Sequence, residues 1–166
     1  MILYLVQHGE AKPESEDPQR PLTQQGREAV RLVAAWAARA GVKVDEIRHS
    51  GKLRAEQTAG ILAERLAPAG IHSIAGLGPN DEVRPVAEHL ERETRAVMLV
   101  GHLPFLSRLA SYLIIRDPDR TLVRFQMGGI VCLIREEGKW SLAWAVTPGL
   151  LKGTSELFTG FFPKTR

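Results

Sequence analysis

The chain opens with six apolar residues, 1–6, which end at the tripeptide Gln7-His8-Gly9. A short continuous apolar run of this kind is typical of a strand that is buried on both faces of a sheet. Open α/β sheets carry their chemistry beyond the carboxyl ends of their strands, where a glycine lets the backbone turn sharply beside a ligand. The opening therefore predicts a central strand with His8 at the functional edge of the sheet.

Two further segments predict strands that end on polar side chains. Residues 45–49 have the pattern of a short strand and lead through Arg54 into a helical pattern at 59–66. Residues 96–100 form another apolar run, which is followed by His102. We expect these side chains to join the first histidine at one edge of the sheet. Arginine forks, histidines and helix N-termini all suit phosphate oxygens, so the set predicts a phosphoryl-binding site.

Strand and helix patterns alternate through most of the chain. This alternation predicts an α/β fold, a single-domain three-layer α/β/α sandwich with a mostly parallel sheet. Thr23 is a suitable N-cap for a first helix that ends near Gly41. A second long helix is predicted at 104–115, followed by a strand-like segment at 121–126.

The last two strand patterns predict an antiparallel edge of the sheet. They lie at 129–134 and 139–146 and flank the short turn Glu136-Glu-Gly138. Strands separated by so short a turn pair as a hairpin. The sheet is therefore expected to be mixed at this edge.

Four short motifs follow one another along the chain. They are His8-Gly9, Arg20-Pro-Leu-Thr23 followed by Gly26, Ser50-Gly-Lys-Leu-Arg54-Ala-Glu-Gln-Thr58, and Gly101-His102-Leu-Pro104. In their order and separations they resemble the motifs of the histidine phosphatase superfamily, and within it those of the small SixA-type phosphohistidine phosphatases. The resemblance runs almost end to end and implies the phosphoglycerate mutase-like fold.

The same resemblance implies a two-step phosphoryl transfer through a covalent phosphohistidine. His8 is then the nucleophile, Arg54 and His102 hold phosphoryl oxygens beside the backbone of Gly9, and water hydrolyses the intermediate. No metal or other cofactor is expected, because the sequence has no His-Glu-x-x-His pattern and no cysteine cluster.

One position departs from the family pattern, which usually has arginine immediately before the nucleophilic histidine. This chain has Gln7, which can donate hydrogen bonds to a phosphoryl oxygen but brings no positive charge. The loss of one charged donor is expected to cost on the order of a hundredfold in rate. Arg20 is the predicted replacement, because the loop at 10–21 leaves the same strand end and can fold back over the site. A solvent-exposed Arg20 is the alternative.

The leaving group helps to distinguish between substrates. A phosphoester expels an alkoxide that needs an acid, whereas phosphohistidine expels an imidazole, whose protonated form has a pKa of about 6.5. Asp81 and Glu82, just ahead of a helical pattern at 83–90, are the candidate acids. In the alternative interpretation, Asn80 or Asp81 caps that helix and Glu82 complements its dipole.

The length of the chain indicates what kind of substrate the site can accept. A chain of 166 residues leaves no room for the cap insertions that shape small-metabolite pockets in larger relatives. The site is therefore expected to be shallow and open. That geometry suits a histidine-phosphorylated protein substrate, such as a phosphotransfer or phosphocarrier domain, better than a free sugar phosphate.

Composition predicts an ordinary cytoplasmic domain. The apolar runs are too short to span a bilayer, and the N-terminus lacks the pattern of a signal peptide, so neither membrane association nor export is expected.

Cys132 is the single cysteine and is expected to be a buried, inert thiol. His49, His72 and His89 are interpreted as structural or surface residues. The lysines and arginines that give the chain its net charge of +3 are spread along the sequence and form no basic stripe. This distribution argues against nucleic-acid binding.

The C-terminal tail at 147–166 is unusually apolar, with three phenylalanines near its end. It is expected to pack on the body of a single domain spanning 1–166. A dimer contact is the alternative, so the protein is expected to be a monomer or a weak dimer.

Two functional hypotheses from different classes remain. The first is a phosphatase acting on phosphohistidine in proteins, with small phosphoesters as the next candidate substrates. The second is a phosphate- or phosphoprotein-binding module that lost most turnover with the change at Gln7.

Overall fold

Strands and helices alternate along residues 1–153, the part of the chain that the computed structural model describes. The strands are β1 (Ile2–Gln7), β2 (Glu46–His49), β3 (Gly70–Ser73), β4 (Val97–Gly101), β5 (Ile130–Glu136) and β6 (Lys139–Val146). The helices are α1 (Gln24–Arg39), α2 (Leu53–Leu66), α3 (Arg84–Arg92), α4 (Phe105–Ile115) and α5 (Pro148–Lys152). Within this part of the chain, no helix is long and apolar enough to cross a membrane.

The strands form one sheet in the order β3-β2-β4-β1-β5-β6. The first four strands of the chain are parallel, β5 is antiparallel to β1, and β6 is antiparallel to β5. The β5–β6 turn places Glu137 and Gly138 at φ of 48° and 74°, as a two-residue hairpin with a right-handed twist requires. The predicted fold class, a mostly parallel sheet with an antiparallel edge, is confirmed.

The sheet separates two apolar clusters. On one face, Leu3 and Leu5 of β1 pack with α3 and α4 in what we name the first cluster. On the other face, Tyr4 and Val6 pack with α1 and α2 in the second cluster. Full burial of one leucine side chain stabilises the fold by about 2 kcal/mol. Because β1 is buried on both faces, it lies at the centre of the sheet and delivers the following residues to a fixed position.

The three tryptophans of the chain lie on both sides of the sheet. Trp140 belongs to the first cluster. Trp144 packs against the second cluster, with its ring centroid 5.6 Å from that of Trp36 and 5.9 Å from that of Tyr4. Each cluster therefore contains at least one indole ring.

A buried ion cluster ties β2 to the segment between α3 and β4. Arg48 is only 6% exposed, and its guanidinium lies 2.6 Å from Glu46 and 2.8 Å from Glu93. Arg95 contacts the same two carboxylates at 3.1 and 2.8 Å. Hydrogen bonds from Arg95 and Arg48 hold the pKa of Glu93 well below its usual range. A charge is tolerated inside β2 because each member of the cluster has an opposite partner.

The start of α1 follows the sequence prediction, whereas residues 121–126 do not. Thr23 caps α1 by accepting a 2.9 Å hydrogen bond from the amide of Gly26. Residues 121–126 form no strand, although Val123 and Phe125 are buried in the first cluster. Central strand β1 already has β4 and β5 on its two sides, so the segment contributes alternate side chains to the core without joining the ladder.

The described part of the predicted tail packs against the body. Helix α5 contacts α1, and Leu151 packs against the second cluster. Residues 154–166, with the three phenylalanines, lie outside the described residues, and the packing of that segment stays a prediction.

Candidate active site

The carboxyl ends of β1 and β4 place two histidines side by side. The two strands are parallel neighbours, with Gln7 in register with Gly101. The backbone amide of His8 continues the ladder by donating to the Gly101 carbonyl at 3.0 Å. The rings of His8 and His102 consequently lie with their centroids 5.0 Å apart, tilted by 52°.

Helix α2 brings Arg54 to the same place. Arg54 is the second residue of the helix, and its Nε donates to His8 Nε2 at 3.4 Å. One turn later, buried Thr58 donates its hydroxyl to the Arg54 carbonyl at 2.7 Å and accepts from the amide of Gly9 at 3.0 Å. The start of α2 is thus fixed to the loop that follows β1.

The hydrogen bond of His8 defines its tautomer. Nδ1 lies 2.7 Å from the carbonyl oxygen of Gly9, which can only accept, so Nδ1 carries the proton. Nε2 then has a free lone pair beside Arg54. Burial lowers the pKa of His8, the hydrogen bond to Gly9 opposes this, and the charges of Arg54 and Arg20 lower the pKa further. The ring is therefore neutral near pH 7, which a nucleophilic imidazole requires.

His102 is also neutral and more deeply buried, with 2% of its surface exposed. Burial, followed by the nearby His8 and the charges of Arg54, Lys52 and Arg20, lowers its pKa to about 3. Its Nε2 lies 2.6 Å from Ser50 Oγ. Its Nδ1 is buried and has no hydrogen-bond partner among residues 1–153. The neutral ring keeps one N–H that can be donated to an oxyanion.

The loop after β1 folds back and places Arg20 beside these side chains. Its two ends are joined by the hydrogen bond from the Lys12 amide to the Pro21 carbonyl, at 2.8 Å. Arg20 has a φ of 49°, a strained conformation for a non-glycine residue, and its Nε donates to the Lys12 carbonyl at 3.1 Å. Its charge contributes to the lowered pKa values of His8 and Arg54. Arg20 is half-buried, in contrast to the solvent-exposed alternative, and its role toward phosphoryl oxygens stays a prediction.

Known proteins share both this sequence pattern and this fold. The family model of the histidine phosphatase superfamily (branch 1) matches residues 3–78. Phosphohistidine phosphatase SixA of Escherichia coli K12 is 29% identical over 159 residues, which cover 92% of this chain and 97% of SixA. A solved structure of the protein histidine phosphatase SixA complexed with tungstate superposes with a TM-score of 0.81 at 28% identity, covering 91% of this chain and 99% of that one. The chain belongs to the histidine phosphatase superfamily.

Within the superfamily, the chain is of the SixA type in both sequence and fold. An uncharacterised protein of Picosynechococcus sp. is 38% identical over 119 residues, which cover 66% of this chain and 71% of that protein. Membership supports a phosphatase, a hydrolase of phosphoryl groups, as the general class of activity.

Gln7 occupies the position where superfamily members usually have arginine. Its side chain lines a cavity of about 480 Å³ next to the two histidines, together with Glu10, Leu103 and Met127. Its Oε1 is buried and has no hydrogen-bond partner in the described part of the chain. Among the described residues outside α2, Arg20 lowers the pKa of both histidines and Lys52 lowers that of His102.

Gly9 is required by the packing of the loop after β1 against α1. A Cβ at Gly9 would lie 2.9 Å from a methyl group of Val30 and 3.2 Å from Leu22 Cδ2. A Cβ at Gly26 would collide with the carbonyl group of Glu10. Glycine at both positions allows α1 to approach the loop and fix the His8 backbone.

The candidate acids Asp81 and Glu82 are exposed and hydrogen-bond within their own segment. Asp81 Oδ2 accepts from the Gly78 amide at 2.7 Å, and Glu82 Oε1 accepts from the amides of Val83 and Arg84 at 3.0 and 3.4 Å. Neither Asn80 nor Asp81 caps α3, whose N-cap is Val83, so that expectation was wrong: the Asp81 carboxylate is used in the preceding turn. Glu82 lies at the helix start, as the dipole argument predicted.

The other histidines lie apart from the pair. His49 is buried, and its Nδ1 accepts from the Gly51 amide at 3.2 Å, which braces the turn before α2. His72 and His89 are exposed. Within residues 1–153, no group of three or more His, Cys, Asp or Glu side chains could hold a metal ion. Cys132 is buried, and burial raises its pKa to about 11.

Sequence reasoning gave no role to Ser50 or Thr58, although both stand in a quoted motif. Ser50 contacts His102, and Thr58 joins α2 to Gly9, the residue after His8. The available signal was their place in the motif around Arg54, since neither apolar periodicity nor charge distinguishes a hydroxyl that bonds across the fold.

Proposed function

We propose that this histidine phosphatase removes phosphoryl groups from phosphohistidine side chains of proteins, through a covalent phosphohistidine on His8. The observation that carries the proposal is the tautomer of His8, with its Nδ1 proton donated to Gly9 and its Nε2 lone pair beside Arg54. The relatives support it, because SixA of Escherichia coli is a phosphohistidine phosphatase and the SixA structure holds tungstate, a tetrahedral oxyanion.

In the first step, His8 Nε2 attacks phosphorus in line with the leaving nitrogen. A bond forms between phosphorus and His8 Nε2, the bond to the substrate imidazole breaks, and that imidazole leaves in its neutral form with a proton taken from solvent. Arg54 exchanges its long contact with Nε2 for the phosphoryl oxygens, joined by Arg20 and by the N–H of His102. Positive charge and donors aimed at these oxygens stabilise the transition state.

In the second step, water attacks the phosphorus of the phosphorylated His8. The bond to Nε2 breaks, inorganic phosphate leaves with the oxygen and one proton of the water, the other proton passes to solvent, and the ring returns to its neutral state. Burial favours that neutral ring, since it lowers the pKa of His8. The hydrogen bond from Nδ1 to Gly9 holds the ring orientation through both steps.

The leaving group favours phosphohistidine over a phosphoester. Both candidate acids are engaged with backbone amides of their own segment, and Asp81 and Glu82 are exposed. A substrate whose leaving group protonates readily at neutral pH does not depend on them. His8 itself is half-buried at the end of the sheet, where the side chain of another protein can reach it.

The test is a single-turnover reaction with a phosphocarrier protein that bears radiolabelled phosphate on histidine. We expect a transient acid-labile phosphate on the chain, followed by release of inorganic phosphate. His8→Ala should abolish both, whereas His89→Ala, at an exposed position on α3, should change neither. Release of phosphate by His8→Ala at the normal rate would overturn the proposal.

The uncharged side chain at position 7 favours one other candidate, a phosphate-binding module with little turnover. Gln7 contributes no cation, and its Oε1 has no partner within residues 1–153. In that case neither a phosphocarrier protein nor a small phosphoester would be hydrolysed, and phosphate would bind equally to the chain and to His8→Ala. A fast reaction with the phosphoester alone would instead identify a small-molecule phosphatase.

A further inference from the structure

We infer that Ser50 is a positioning residue that fixes the tautomer of His102, with the proton on Nδ1, so that this N–H is the donor to a phosphoryl oxygen. The tautomer is argued from the hydrogen-bond geometry of the two ring nitrogens, supported by the chemistry of the site. Its catalytic consequence rests on the proposed function.

The contacts of the Ser50 hydroxyl decide where its single hydrogen goes. Oγ lies 2.6 Å from His102 Nε2 and accepts a 3.4 Å hydrogen bond from the backbone amide of Lys52. An amide can only donate, so it occupies a lone pair of Oγ. Donation of the hydroxyl hydrogen to Nε2 then gives each hydrogen in this contact an acceptor, with Nε2 as the unprotonated nitrogen, and the surroundings of the other ring nitrogen support this direction over the reverse one.

The other ring nitrogen has the properties of a donor that lacks its acceptor. His102 Nδ1 is buried in a residue that is 2% exposed, and it has no partner among the described residues. Buried polar groups are nearly always paired, and an exception next to reacting groups calls for an explanation. The ring lies 5.0 Å from that of His8, so a phosphoryl group on His8 would bring oxygen acceptors close to the His102 ring.

The opposite tautomer fits the site poorly. With the proton on Nε2, the ring would donate to Ser50 and present the Nδ1 lone pair inside a site for an anion. Phosphoryl oxygens only accept, so this arrangement would place two acceptors together. A doubly protonated ring would avoid that, but burial lowers the pKa of His102 to about 3.

The turn between β2 and α2 holds Ser50 in place. The Gly51 amide donates to buried His49 Nδ1 at 3.2 Å, and Gly51 has a φ of +84°, which glycine adopts without strain. The Ser50 hydroxyl is therefore presented by a braced turn. A hydrogen bond to one ring nitrogen of a functional histidine selects its tautomer and orientation.

The first experiment measures the tautomer directly. Long-range ¹H–¹⁵N spectra of the full chain with ¹⁵N-labelled histidine should show His102 protonated on Nδ1, with and without inorganic phosphate. Ser50→Ala should lose this preference, Ser50→Thr should keep it because it retains the hydroxyl, and Ser73→Ala, at the nearby end of β3, should match the unchanged chain. A proton on Nε2 of the unchanged chain would overturn the inference, as would an unchanged tautomer in Ser50→Ala.

The second experiment measures turnover of the phosphocarrier substrate. We expect Ser50→Ala to lower kcat/KM by about tenfold or more, with Ser50→Thr restoring most of it. A loss shared by Ser50→Thr and Ser50→Ala, with the tautomer unchanged in both, would contradict the positioning role. Because the spectra need no turnover, they separate the two proposals: the expected tautomer in a chain that hydrolyses nothing would overturn the proposed function alone.

Discussion

Both histidines of the site are neutral because they are buried among cations. His102 shows the larger effect, with its pKa lowered to about 3, and the pKa of His8 is lowered as well. In the unfolded chain each would have a pKa of about 6.5. The unfolded state therefore binds more protons than the folded state below that value, and the folded state loses stability as pH falls from about 6.5 toward 3.

This linkage predicts a specific effect of removing one ring. The free energy of unfolding should decrease from pH 6.5 to pH 4 by at most about 1.4 kcal/mol per pH unit for each histidine. His102→Gln should flatten that dependence, whereas His89→Gln, at an exposed position, should leave it unchanged. Urea unfolding at several pH values measures the slope of the unfolding free energy against pH for the unchanged chain and the two variants. Equal slopes in all three proteins would show that His102 does not titrate as argued.

The second residue-scale prediction concerns Gln7, at the position where the family usually has arginine, and Arg20, its proposed replacement. Arg20→Gln should lower kcat for the phosphocarrier substrate on the order of a hundredfold, because it removes a charge that acts on the site. Gln7→Arg should change the unmodified enzyme by less than tenfold but restore activity in the Arg20→Gln background. Single-turnover rates are measured for the unchanged chain, Arg20→Gln, Gln7→Arg and the double variant. Together they give the coupling between positions 7 and 20 in the rate.

Arg31→Gln, at an exposed position on α1, serves as the charge-matched control for this series. A large gain in rate from Gln7→Arg alone would mean that position 7 limits catalysis and that Arg20 does not replace it. An unaffected rate in Arg20→Gln would show that this guanidinium takes no part in the reaction.

At the scale of elements, the joint between α2 and the loop after β1 depends on one hydroxyl. Thr58→Val keeps the shape of the side chain but removes the acceptor for the amide of Gly9. Because that amide is buried, we expect a loss of about 1–3 kcal/mol in the free energy of unfolding, with a lower kcat as the His8 backbone loosens. Thr121→Val, at an exposed site, is the control in urea unfolding, and equal stability of the two variants would contradict the prediction.

How far the sequence predicts these elements depends on what determines each one. Strands β1 and β4 were predictable because burial on both faces produces uninterrupted apolar runs. Residues 121–126 show a strand-like alternation for another reason: Val123 and Phe125 enter the core from an irregular segment. Periodicity reports burial, and it does not report whether a neighbouring strand has an open edge.

The site likewise contains residues whose positions the sequence predicts and contacts that it does not predict. His8, Arg54 and His102 lie together because each was placed at a strand end or helix start, where the chain direction determines position. The partners of Ser50 and the carboxylate of Asp81 depend on hydrogen bonds across or within loops. No local pattern in the sequence encodes those bonds.

At the scale of the whole molecule, the buried ion cluster joins β2 to the connection between α3 and β4. Arg48→Met should destabilise the protein by about 3 kcal/mol, since it leaves the buried carboxylate of Glu93 with fewer cationic partners. Arg65→Met, on the surface of α2, should change stability by less than about 0.5 kcal/mol. The comparison is made by urea unfolding at neutral pH, and similar midpoints for the two variants would contradict it.

The distribution of the three tryptophans gives the molecule fluorophores on both sides of its sheet, one on one side and a pair on the other. Trp140 senses the layer under α3 and α4, and the Trp36–Trp144 pair senses the layer under α1 and α2. Replacing Trp140 by phenylalanine leaves emission from the second layer, and replacing the pair leaves emission from the first. Superimposable unfolding curves from the two proteins would mean that the layers melt as one unit across the sheet, whereas separate midpoints would reveal which layer opens first.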